Sequence, residues 1–144
     1  MGQGVLTVQE VRYHMDDLCA EKNELIGELE FSDSDIMQAM ISCIDYANGA
    51  MGGSGHGGGW TVNNLPEEGR FFLKQGTAAQ LLQTKAISLL RNTLPYNAGG
   101  ISIDDQNKSA QYLKMAEPMK ADWIMYVGRL HHNRNFRRGF MTLN

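Results

Sequence analysis

The stretch PEEGRFFLKQGTAAQLLQTKAISLLRNT, residues 66–93, decides the fold. Pro66 suits a first helical turn, where its missing N–H has no intrahelical partner to lose, and Glu67 and Glu68 favour the positive end of a helix dipole. Phe71, Phe72, Ala78, Ala79, Leu81, Leu82, Ala86, Ile87, Leu89 and Leu90 then recur as a broad helical stripe. A stripe this wide needs covering from more than one side, which predicts a helix at the centre of a bundle.

Three further helices are predicted around it. Thr7 with Glu10 three residues on forms a capping-box pattern, followed by Val8, Val11, Met15 and Leu18 at steps of 3, 4 and 3. Asn23 to Phe31 reads equally as strand or helix. Ser32 and Asp33 offer caps for a helix over 34–48, whose apolar set is Ile36, Met37, Met40, Ile41, Ile44 and Ala47. The last helix is predicted over 106–131, with Tyr112, Ala116, Met119, Trp123, Tyr126 and Leu130 as a heptad-like seam and a kink at Pro118.

Two interruptions separate these segments. Residues 49–59 hold seven glycines, which predicts a mobile, exposed loop through about Leu65. Ile101 and Ile103 alternate with Ser102 and Asp104 after a Pro95 break, predicting a short extended, β-like excursion near 96–105. The expected architecture is therefore all-α: a small bundle of about four helices over 1–131, then an extended basic tail over 132–144.

A chain of 144 residues and 16.0 kDa, with 42% hydrophobic and 20% charged residues, is one ordinary globular domain. It carries no apolar run long enough to span a bilayer, no basic-then-apolar leader at its start, and two lone thiols, Cys19 and Cys43. A reducing compartment and no membrane partner are expected. The net charge of −3 hides a polarity. Residues 1–59 set ten acids against Arg12 and Lys22, a net −8; residues 60–144 set six acids against eleven bases, a net +5. Such a split suits head-to-tail association or docking onto a charged partner.

Motifs for catalysis fail on their context. Gly53-Ser54-Gly55-His56-Gly57-Gly58 matches GxGxxG, but a helix precedes it where a dinucleotide site needs a strand. His56-Gly57-Gly58-Gly59 copies an esterase oxyanion element without any GxSxG nucleophile elbow. His131 and His132 are adjacent and point about 100° apart on a helix, so they cannot share a metal. The acid pairs Asp16-Asp17 and Asp104-Asp105 diverge in the same way. No enzyme activity, cofactor or metal is expected.

The basic end is the most informative segment. Arg129, Arg134, Phe136, Arg137, Arg138 and Phe140 combine cations with aromatic anchors and include no acid. They can dock on an acidic protein surface, or grip phosphate and stack on bases. Tyr96, Ile101, Ile103 and Trp60 are further candidate interface residues in the loops.

Gly76-Thr77-Ala78-Ala79-Gln80-Leu81-Leu82, then the run from Arg91-Asn92-Thr93-Leu94-Pro95-Tyr96 through Gly99-Gly100-Ile101-Ser102-Ile103-Asp104-Asp105, then Tyr112-Leu113-Lys114-Met115-Ala116-Glu117, resembles the head-to-tail connector proteins of tailed bacteriophages. Cys43-Ile44-Asp45-Tyr46-Ala47-Asn48 is similar to that family's second helix, and the resemblance spans about residues 33–130. It implies a structural virion protein of the neck, made in the bacterial host cytoplasm. The implied assembly is a ring, typically of twelve copies, under the portal protein. Such a ring extends the channel for genomic DNA, without sequence-specific binding, and docks tail or neck proteins. The alternative is a small helical nucleic-acid-binding or regulatory protein that uses its Arg-rich end.

Overall fold

A computed structural model of the chain describes residues 6–17, 29–50, 59–93 and 101–141, with backbone alone at 50, 92–93, 101–107 and 134–141. These residues form four helices, α1 (Val8–Met15), α2 (Asp33–Ala50), α3 (Gly69–Thr93) and α4 (Ile101–Met141), and no strand. The all-helical bundle expected from periodicity is what forms. The predicted Gly-rich run is outside the described residues over 51–58, as are Leu18, Cys19, the 23–28 part of the ambiguous segment, and Tyr96.

Local chemistry accounts for the helix starts. The Thr7 hydroxyl accepts from the Glu10 N–H while the Glu10 carboxylate accepts from the Thr7 N–H, a complete capping box. Ser32 and Asp35 exchange the same pair of bonds at the start of α2. Pro66-Glu67-Glu68 forms a turn just before α3, with the Gly69 N–H donating to the Pro66 carbonyl at 2.8 Å.

α3 and α4 make the largest contact, and α1 and α2 pack mainly on α3. The seam expected on α4 is the one buried: Ala116, Trp123, Tyr126 and Leu130 are all in the core, flanked by half-buried Tyr112 and Met119. α4 continues as one helix across Pro118. Both Pro118 and Lys114, whose carbonyl loses its partner, face solvent, so water can satisfy the orphaned acceptor. α4 also starts earlier and ends later than expected. It takes in Ile101 to Asp105, the second half of the expected excursion, and continues past 131 to Met141.

Two expectations about burial need correction. The apolar set of α2 is not one face: Ile36, Ala39, Met40, Cys43, Ile44 and Ala47 are buried, while Met37 and Ile41 are exposed by 53% and 44%. Ile36 and Ile41 lie about 140° apart around the axis, too wide an arc for one neighbour to cover. The loop before α3 is not exposed throughout. Leu65 is buried, Trp60 and Val62 pack on the main core, and the Asn48 amide bonds both the N–H and the carbonyl of Trp60 at 2.8 and 3.0 Å.

A buried ion network ties α1 to α2. Arg12 is 2% exposed and reaches Asp17 at 3.0 Å and Asp33 at 2.6 Å. Asp17 also accepts the N–H groups of Glu30 and Phe31 at 2.9 and 3.1 Å. α1 stops where Asp16 turns left-handed at φ 57°, a conformation Asp tolerates, and this puts Asp17 under the guanidinium. Removing one partner of such a buried pair leaves the other charge uncompensated. Arg12→Leu should therefore cost about 3 kcal/mol in urea denaturation, and a loss below about 0.5 kcal/mol would show the network to be incidental.

Candidate docking groove

A close approach of α3 and α4 sets up the candidate site. A Cβ added at Gly76 would lie 2.7 Å from the Trp123 ring, and one at Gly69 would lie 2.4 Å from the Tyr126 hydroxyl. Two glycines seven residues apart on α3 thus admit two large rings of α4. Phe72 stacks on Tyr126 at 4.8 Å, and Trp123 lies 6.0 Å from Tyr126. Trp123 Nε1 and Tyr126 Oη have no hydrogen-bond partner among the described residues. Each such buried group costs about 1–3 kcal/mol, which packing must offset. Burial, and then the charge of Glu68, raise the Tyr126 pKa.

With the rings sunk into α3, α2 and α4 scarcely meet. The gap between them is a groove of about 190 Å³ over α3. Gly76, Ala79, Cys43 and Trp123 floor it, and Tyr46 of α2 and Ile124 of α4 stand at its walls, exposed by 47% and 41%. Ser42, Gln80, Gln83 and Lys120 supply its polar edge. Pockets for drug-sized ligands run to roughly 300–1,000 Å³, so this groove fits a few side chains better than a cofactor. Cys43 is a poor nucleophile here: burial pushes its thiol up to about 12, against a smaller lowering by its hydrogen bond with Thr77.

Chemistry elsewhere is sparse. His14 Nε2 bonds Gln75 Oε1 at 2.7 Å, and the Gln75 amide donates to Asp122 at 3.2 Å, a chain that crosslinks α1, α3 and α4. Among the described residues no three His, Cys, Asp or Glu side chains converge as a metal site would require, and no helix is long and apolar enough to cross a membrane.

The residues singled out from sequence are spread apart. Arg129 is exposed on α4. Arg134, Phe136, Arg137, Arg138 and Phe140 lie on the last turns of α4 by backbone, and Ile101 and Ile103 on its first turn. Trp60 sits half-buried against the core. The groove itself was missed. Its signal was the over-wide apolar arc of α2, together with Gly76 in the middle of a strong helix, a residue that costs a helix about 1 kcal/mol unless something needs the space.

Two outcomes test this packing. Gly76→Ala gains helix propensity but drives a methyl into the indole, so a net loss of about 1–2 kcal/mol is expected in urea denaturation; a more stable variant would contradict the close approach. The Cys43 thiol has a folded pKa above its unfolded value of 9.0, so its contribution is fully present below pH 9.0 and is lost as pH rises toward about 12. Tyr112, pushed from 10.0 to about 12 by burial and by its bond to Glu30, adds a loss that begins a unit higher. Stability should decline from pH 9 in the wild type and from about pH 10 in Cys43→Ala; identical onsets would refute the assignment.

Comparison with known protein families, with curated proteins and with solved structures found no match to this chain.

Proposed function

We propose that the chain is a structural adaptor that acts by assembly, in the manner of the phage head-to-tail connectors its sequence resembles. It would sit in the virion neck as a ring of about twelve copies under the portal, extend the channel through which DNA passes, and present a surface to tail or neck proteins. One observation carries the reading. Apolar side chains of α2, Met37 and Ile41 on its outward side and Tyr46 at the groove, stand uncovered, and Tyr13, Phe71, Ile87, Met115 and Met125 add exposed apolar surface on the other helices. Exposed apolar surface beside a groove is the mark of a contact site rather than of a solvated face. The charge split supports the same reading, because opposite poles set orientation in a repeated head-to-tail contact.

The test is mass. Light scattering of the purified protein, alone over a wide concentration range and with portal protein, should give species well above 16.0 kDa. A particle of 16.0 kDa in both arms that binds DNA with a steep salt dependence would contradict the adaptor and favour the nucleic-acid reading. Replacing Arg134, Arg137 and Arg138 with Ala should weaken docking on a partner and leave helicity by circular dichroism unchanged; loss of helicity would show that they hold the fold instead.

A further inference from the structure

The groove and the outer flank of α2 are complementary surfaces on the same chain. Met37, Ile41 and Asp45 follow one another at four-residue steps, so they form one row along α2, and all three are exposed. Ile41 and Tyr46 point about 140° apart around the helix axis. The row therefore faces outward, away from the buried side of α2, with Ile41 turned from the groove and Asp45 at the edge nearer to it.

Their charges are opposite as well. α2 carries Asp33, Asp35 and Asp45 and no base. α3 contributes no acid to the groove, its Arg70 is paired with Glu10 of α1, and Lys120 of α4 is the charged residue at the groove edge. An apolar pair followed by an acid thus meets an apolar trough with a lysine, Lys120, at its edge.

We propose that the groove of each subunit receives the Met37–Ile41–Asp45 row of a second copy of this chain. Met37 and Ile41 enter between Tyr46 and Ile124, and Asp45 pairs with Lys120. This rests on the adaptor reading and supplies its missing contact. The two surfaces differ, so the contact is heterologous: it leaves a free groove at one end and a free row at the other, and it propagates until rotation closes a ring. A partner of another kind would cover one of the two apolar surfaces. A second copy covers both.

Charge reversal tests the pairing. Self-association is followed by sedimentation, alone or on portal, in whichever condition the wild type assembles. Lys120→Glu and Asp45→Lys should each weaken assembly about tenfold, because each places like charges face to face. The double variant should return to within about threefold of wild type, since reversing both restores attraction. Ile41→Glu should abolish assembly in either background. Circular dichroism of each variant should match the wild type, as all three positions are exposed. Assembly that survives Lys120→Glu, Asp45→Lys and Ile41→Glu overturns this contact alone and leaves the groove to another protein. A wild type that stays monomeric in every condition overturns the contact and the adaptor reading together.

Discussion

Gly76 brings the backbone of α3 against the indole of Trp123, and Gly69 does the same beneath Tyr126. Everything else in the bundle follows from that approach. The rings fill the space between α3 and α4, so the two helices form a closely packed antiparallel pair on which the shorter helices rest. They do this while leaving Trp123 Nε1 and Tyr126 Oη without partners among the described residues, a cost the stacked Phe72 and the buried apolar surface must outweigh. Trp123 sinks toward α3, and α2 and α4 scarcely meet. The gap left between α2 and α4 is the groove.

The groove and the ion network mark the two ends of the same design. Arg12, Asp17 and Asp33 fix where α2 begins, against α1. The amide of Asn48 fixes where it ends, against Trp60. Held at both ends, α2 lies on α3 with its buried face turned inward and its two flanks uncovered. The flank toward α4 becomes a wall of the groove, and the outward side carries the exposed row of Met37, Ile41 and Asp45. A helix that is apolar beyond the width of its seat has surface to spare for another molecule.

Periodicity made the helices legible. The 4–3–4–3–4 spacing from Tyr112 to Leu130 picked out the buried seam of α4, and the Thr7–Glu10 pattern located the start of α1, because both signals depend only on residues within a few turns. The groove was not legible for a related reason. Whether Met37 or Ile36 faces the core depends on where α3 lies, which no local pattern on α2 states. Arg12 was hidden in the same way: its partners are 5 and 21 residues away and converge only through the turn at Asp16. Gly76 was in plain view as a weak residue in a strong helix, yet its meaning required the ring of Trp123, 47 positions on. The closed mouth of the loop before α3 likewise rested on Asn48, across the glycine-rich run.

The central claim is that this bundle works by repeated head-to-tail contact, and imaging tests it most directly. Negative-stain electron microscopy of the assembled protein should show closed rings with a single rotational axis and a central opening. Two-fold symmetric pairs, in which like surfaces meet, would contradict the account, as would fields of isolated particles with portal present.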